Sequence, residues 1–456
     1  MDLFDPSDSR PIHFMGIGGA GMSALALIAR RRGVTVSGCD GDPTGAADVA
    51  ALGATVFQGH DPSHVTGVRA VVVTAAISPE HPELAAARSA GIPVVPRKEA
   101  LAQLIRGSTV VAAAGTHGKT TTTVMTTLAL TAAGLEPTGL AGGRVPEWGG
   151  NARLAGDQLF VVEADEYDKA FLTLTPTIAI VNNVEADHLE CYGSLAALEA
   201  SFAEFAGRAG SAFFGANDAG ARRVASLMER KPYFFGLDDA DLLIDQIVQA
   251  PGESRARLRF PDRRVLQLRL QVPGVHNLRN AAGALGAAWA LEADLSPALE
   301  ALAAYRGLGR RFERLGEHGG VALVDDYAHH HSEIAATLAA ARQAFPGRRL
   351  VAVFQPHLYS RTATHGVAMG KALAAADLVI VSEIYAARET PMPGVSGLSV
   401  AKAAEATGAT TIFEPARPEL TNRVFQAIRP GDVVLTLGAG DVTRVGRELV
   451  EWLRAD

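Results

Sequence analysis

The chain has 456 residues, too many for one compact core, and its 48% hydrophobic and 20% charged content is that of an ordinary globular protein of two to four domains. A net charge of −7 offers no basic stripe to neutralise a phosphate backbone, which argues against nucleic-acid binding but leaves small anions within reach of a few amides and arginines. No apolar run approaches the roughly 20 residues of a membrane span, the opening segment is acidic and polar rather than a targeting signal, and two cysteines, Cys39 and Cys191, make no disulfide framework. The expectation is a cytoplasmic protein that does not insert into a membrane.

Short β-branched runs alternate with Ala/Leu-rich amphipathic stretches. Residues 12–17, 34–39, 70–74 and 93–95 read as buried parallel strands with helices between them. A second series runs through 109–114, 159–163 and 177–182, and a third through 321–325, 350–354, 378–382 and 433–437. Three such blocks predict three α/β domains with mostly parallel sheets, divided near Gly107 and Phe312 into 1–106, 107–312 and 313–456. Within the middle block, 238–272 alternates as antiparallel hairpin strands do.

Gly16-Ile17-Gly18-Gly19-Ala20-Gly21 follows the first strand and opens a helix. Glycines there bring backbone amides close to a diphosphate at the helix N-terminus, and Asp40, ending the next strand, sits where a ribose-binding acid would lie. Alone, this pattern fits a dinucleotide oxidoreductase; the nucleotide is left open. Gly115-Thr116-His117-Gly118-Lys119-Thr120-Thr121 is a P-loop between strand and helix, although Ala113 replaces the first glycine of the general pattern. Its amides cradle phosphates, Lys119 reaches β/γ oxygens and the Thr120 hydroxyl can ligate Mg²⁺. A nicotinamide dehydrogenase needs no such loop, so the ATP reading prevails.

Downstream, Glu163, Asp165 and Glu166 end one strand, and Asn182, Asn183, Asp187 and His188 follow another. Carboxylates at parallel strand ends can hold an ATP-bound Mg²⁺; capping a helix start is the alternative for Asp165 and Glu166. Asp325-Asp326-Tyr327-Ala328-His329-His330-His331-Ser332-Glu333 tempts a metal assignment, but successive helical residues point about 100° apart, so the three histidines are not expected to share an ion. Arg361, just past the strand at 350–354, suits a carboxylate.

The ordered series GxGGxGM, GTHGKTTT, EADE, NN…ADH, HNxxN (His276 to Asn280), RRFE, DDYAHH, QPHxYSRT and GAGD resembles the Mur ligases over essentially the whole chain, and within them the alanine-adding branch. The resemblance implies a Rossmann-like N-terminal domain, a central P-loop ATPase domain and a Rossmann-like C-terminal domain. It implies ATP and Mg²⁺ as cofactors, and UDP-N-acetylmuramate and L-alanine as substrates. They would be joined at the lactyl carboxylate through an acyl phosphate in peptidoglycan synthesis; the oligomeric state is left open. By position, Gly18, Gly19, Ala20, Gly21, Met22, Asp40, His60, Thr74 and Ile77 would hold the UDP portion. Thr120 and Glu163 would serve one Mg²⁺ and His188 a second. Asn277, Asn280, Arg311 and one of Asp325 and Asp326, here Asp326, match positions around the nucleotide. Tyr327, His329 and Arg361 match positions near the amino acid, and Glu383, Tyr385 and Arg388 would face the muramyl side. His329 is the candidate to deprotonate or orient the amine. Lys119, His188, His329 and Arg361 complete the implied catalytic set.

Two departures stand out. His331 replaces the proline usual after the paired histidines, so the helix start is open to change. Phe202 stands about 14 residues after His188, where many later-acting relatives carry a carbamylated lysine, a difference that fits the alanine-adding branch. The rival readings are a ligase that recycles a whole tripeptide onto the same sugar and a catalytically inactive paralogue.

Overall fold

A computed structural model describes residues 3–387 and 389–455. It contains three sheets in an α/β architecture, matching the three strand–helix blocks. In the N-terminal sheet Ile12–Met15 is central, with Val36–Asp40 then Thr55–Gln58 on one side and Ala70–Val73 then Val94–Pro96 on the other, all parallel. The strand order therefore reverses at Ile12–Met15, and the crevice beyond its C-terminal end is where such sheets bind ligands. The helix Ala20–Arg31 starts there and is buried from Met22 through Ala29.

The middle sheet has Thr109–Ala114 between Leu159–Glu163 and Ile178–Val181, both parallel to it. The three strands are almost wholly buried, as two covered faces require. The sheet continues through Ser211–Gly215 and Tyr233–Gly236 to Leu242–Ala250, Glu253–Arg259 and Val265–Leu270. At its other edge lie Thr138–Val145 and the antiparallel Gly150–Arg153, which sequence patterning does not reveal because the first is glycine-rich, TGLAGGRV. The C-terminal sheet runs Glu313–His318, Val321–Asp326, Val433–Leu437, Leu350–Phe354, Leu378–Val381, Thr411–Phe413; only the first is antiparallel. That edge strand, ERLGEH, also escapes the sequence reading: it is half-exposed and charged.

The backbone packs as two compact units. The first runs to Gln246 and takes in Ala256–Leu268 and Arg279–Ala303; the second holds Ile247–Arg255, Arg269–Leu278 and the chain from Ala304. The N-terminal and middle sheets thus share one unit, tied by Asn151 Nδ2 donating to Ser23 Oγ at 3.1 Å and by Arg32 bonded to Asp157 at 3.0 Å. No helix among the described residues is long and apolar enough to cross a membrane.

Phe202 lies fully buried on the helix Leu195–Gly207, edge-on to Phe171 at 5.0 Å, and Phe171 stacks on Phe205 at 5.0 Å. This aromatic cluster fills the place a charged side chain would need, so the position serves packing. Phe202→Ala is expected to cost about 3–5 kcal/mol through lost burial and a residual cavity. Urea unfolding followed by circular dichroism checks this, and a loss below about 1 kcal/mol would contradict the packing role.

Candidate active site

The P-loop is built by strand ends on both sides of it. After Thr109–Ala114 the chain turns through 115–118 into the helix Lys119–Ala132, with Gly115 at φ 130° and Gly118 at φ 78°. A side chain at either would be strained, and a Cβ at 118 would lie 2.6 Å from Asn280 Oδ1. Asn183, beyond Ile178–Val181, accepts from Thr116 N at 3.1 Å through its carbonyl and from His117 N at 2.7 Å through Oδ1. Asn182 Nδ2 donates to Thr122 Oγ1 at 2.9 Å. Gly115, Thr116, His117, Gly118, Lys119, Thr120, Thr121 and Asn280 are thereby gathered in one place, with Thr120 and Thr121 buried.

Lys119 Nζ donates to Gly115 O at 2.8 Å and to both oxygens of buried Glu166, each at 2.8 Å. Burial alone would push the ammonium down, but the carboxylates of Glu166, Asp165 and Glu163 more than offset it and hold Lys119 above the ordinary lysine value. The sequence reading left helix capping or Mg²⁺ binding for Glu166; the structure makes it the lysine's counter-ion. Asp165 lies just outside the 3-10 helix Tyr167–Thr173, whose N-cap is Glu166, and accepts from Tyr167 N at 3.1 Å. Glu163 ends the strand beside the loop and accepts from Gly142 N at 2.6 Å, a contact too close for any Cβ at 142.

Glu163 also lines a cavity of about 480 Å³ within the first unit. The glycine turn and its surroundings line it too: Gly19, Ala20, Gly21, Met22, Asp40, His60, Thr74 and Ile77. Gly18 is tied behind that wall, its amide donating to Asp40 Oδ2 at 2.9 Å, so the Asp40 carboxylate orders the turn. Arg97, which sequence reasoning missed, lines the same cavity; the available signal was a basic residue directly after the strand Val94–Pro96. His188 has left-handed backbone (φ 54°), with Nδ1 3.3 Å from Glu190 and its ring edge-on to Tyr167 at 5.1 Å.

The second unit gathers another set. Asp326 accepts from Phe312 N at 2.7 Å and Ala328 N at 2.8 Å; burial pushes its carboxyl up to about 6 against the pull of Arg311 and these amides. The Tyr327 ring lies between the guanidinium groups of Arg310 and Arg311, at 4.8 and 5.0 Å. His329 Nδ1 is 2.9 Å from Tyr327 O, and the ring is 5.2 Å from Tyr327 and 6.2 Å from His357. Arg361, buried, has Nη1 3.5 Å from His357 Nδ1, and His357 stacks on Tyr385 at 5.8 Å. Tyr327, His329, Arg361 and Tyr385 are thus brought together, with His357 between them. Asn277 instead donates to Pro273 O at 2.8 Å, and Glu383 holds the amides of Ile384 and Gly397 at 2.9 and 2.7 Å, shaping backbone. Arg388 lies outside the described residues.

The helix His331–Ala344 begins at His331, the first-turn position that proline favours. The expectation that neighbouring histidines point apart fails for His330 and His331, whose rings are 4.1 Å apart with His365 4.9 Å from His330. His330 is an extended N-cap residue rather than a helical one, which turns its ring alongside the next. His329 does point away, toward Tyr327.

Comparison with known proteins bears on all three sheets. Residues 11–109 match the Mur ligase family catalytic domain, 113–288 the Mur ligase middle domain and 310–440 the Mur ligase glutamate ligase domain. The chain is 42% identical to a UDP-N-acetylmuramate–L-alanine ligase of Bordetella pertussis, over 95% of this chain and 97% of that one. It is 44% identical to the ligase of the same name from Acidothermus cellulolyticus, over 97% and 94%. Among solved structures, a UDP-N-acetylmuramate–alanine ligase from Thermotoga maritima superimposes with a TM-score of 0.84 at 30% identity, covering 98% of this chain and 99% of that one. A murein peptide ligase from Psychrobacter arcticus shares the fold with a TM-score of 0.73 at 24% identity, covering 98% and 99%. With family matches along its length and full-length relatives well above the level of chance, the chain belongs to the Mur ligase family.

Proposed function

We propose that the chain joins L-alanine to the lactyl carboxylate of UDP-N-acetylmuramate, converting ATP to ADP and phosphate, as a cytoplasmic step of peptidoglycan synthesis. The observation that carries this reading is the cavity of the first unit, where a diphosphate-binding glycine turn faces Glu163, the carboxylate beside the P-loop. A nucleotide-sugar seated on Gly19–Met22 extends toward the end of the strand that flanks the ATP loop. The domain boundaries near 107 and 312 are supported by sheets that begin at Thr109 and Glu313.

The lactyl carboxylate takes the γ-phosphoryl group of ATP to give an acyl phosphate, and the alanine amine then displaces phosphate. Both steps crowd anions together, so stabilising charge is the main task. Lys119, held charged by its carboxylates, supplies a cation to the β/γ oxygens, and the amides of 115–118 supply dipoles. Thr120 and Glu163 present hard oxygen donors at the loop, a donor set that fits Mg²⁺, and His188 would serve a second ion. Bound there, Mg²⁺ neutralises phosphate charge. In the second unit Arg361 pairs with the alanine carboxylate. His329, oriented by its Nδ1 at 2.9 Å from the Tyr327 carbonyl and 3.4 Å from Glu333, is the side chain suited to orient or deprotonate the amine. Asn280, beside the glycines of the P-loop, orders the nucleotide surroundings in the first unit.

Phosphate release from ATP, Mg²⁺ and UDP-N-acetylmuramate is expected to depend on L-alanine. Release with the tripeptide L-alanyl-γ-D-glutamyl-meso-diaminopimelate but not with alanine would move the assignment to recycling, and silence with both would mean an inactive chain. Lys119→Ala is expected to abolish turnover and also to lower stability by about 3–5 kcal/mol, because Glu166 is left buried without its partner. Adding Glu166→Gln should recover most of the melting temperature and none of the turnover; an active double variant would refute the role of Lys119.

A further inference from the structure

His13, Ser37 and Cys39 lie on neighbouring strands of the N-terminal sheet and share the face covered by the 3-10 turn Pro62–Val65 and the helix Pro82–Ser89. Under that cover is a concentration of ligating groups. His13 Nε2 is 3.3 Å from Cys39 Sγ, and Cys39 Sγ is 3.4 Å from each oxygen of Glu83. His64 Nδ1 is 2.9 Å from Glu83 Oε1. One donor atom from each of His13, Cys39, His64 and Glu83 falls within 4.8 Å of all the others. Four ligands at about 2.0–2.3 Å from a tetrahedral zinc ion stand roughly 3.3–3.7 Å from one another, so a small adjustment of side chains closes the site.

Three further observations favour a cation over a plain hydrogen-bond network. Glu83 is fully buried; Asp61 N donates to its Oε1 at 3.0 Å and His60 Nδ1 lies 3.0 Å from its Oε2, but among the described residues no lysine or arginine lies within ion-pair distance, so histidines are its only charged-partner candidates. A divalent ion with one thiolate, one carboxylate and two neutral imidazoles is electrically balanced, which burial demands. The rings are also oriented from outside: His13 Nδ1 is 3.0 Å from Ser37 Oγ, and a proton donated there turns the Nε2 lone pair toward Cys39. His64 stacks on Phe57 with ring centroids 4.2 Å apart.

We propose that His13, Cys39, His64 and Glu83 form a tetrahedral binding site for a zinc-class divalent cation in the N-terminal domain, distinct from the magnesium chemistry of the P-loop. Coordination requires the Cys39 thiol to release its proton to solvent, and the ion then ties two strands to the turn and helix above them. Its natural place is structural, since four protein ligands leave no open position for catalysis.

The test uses the full chain, stripped with a chelator and titrated with Zn²⁺ against a chromophoric indicator, then with Co²⁺ followed by absorbance. One tight zinc per chain is expected, together with the thiolate-to-cobalt charge-transfer band that a histidine-only site cannot give. Cys39→Ser and His64→Gln should each weaken zinc binding at least tenfold, Cys39→Ser should lose the band, and Cys191→Ser should keep both. Circular dichroism and alanine-dependent phosphate release at wild-type levels in Cys39→Ser establish that the variant is folded. Wild-type zinc affinity in folded Cys39→Ser would overturn the proposal, as would failure of the wild-type chain to take up zinc against the indicator.

Discussion

The turn at 115–118 keeps its shape only because structure on either side of it supplies what it lacks. Its own sequence gives two glycines with positive φ, and the amides of Thr116 and His117 are met by Asn183. Lys119 then places a cation at the centre of the loop, where burial would neutralise it were Glu166 not 2.8 Å away. Strand order in the middle sheet thus determines whether the loop is held at all: Leu159–Glu163 and Ile178–Val181 must both flank Thr109–Ala114 for the counter-ion and the asparagines to arrive.

The same logic of charge at strand ends links the two halves of the first unit. Carboxylates collect around Lys119, and one of them, Glu163, lines the cavity that the glycine turn also lines. In the second unit aromatic rings and guanidinium groups predominate, with Tyr327 between Arg310 and Arg311 and with Arg361 beside His357.

Much of this was legible in the sequence, for local reasons. Buried parallel strands such as 109–114 and 350–354 are continuous apolar runs, and the glycine turn and P-loop announce themselves because phosphate binding needs specific residues within a few positions of one another. What escaped is long-range or atypical in composition. Glu166 is 47 residues from Lys119, and nothing local distinguishes a counter-ion from a helix cap. The strand Glu313–His318 carries an edge strand's charges, and Thr138–Val145 is glycine-rich, so neither has the periodicity that identifies a strand. His13, Cys39, His64 and Glu83 come from two strands, a 3-10 turn and a helix; only the fold assembles them. His331, a departure visible in sequence, stands at the first residue of its helix.

The central claim is that the acceptor carboxylate in the cavity attacks the phosphate held at the P-loop. It is tested most directly by labelling the lactyl carboxylate of UDP-N-acetylmuramate with ¹⁸O and analysing the phosphate released with ATP and L-alanine. Transfer of one ¹⁸O from carboxylate to phosphate is the predicted result, since the carboxylate oxygen leaves with the phosphoryl group when the amine displaces it. Phosphate free of label, with amide product still formed, would contradict the acyl-phosphate route and the facing arrangement of the two sites.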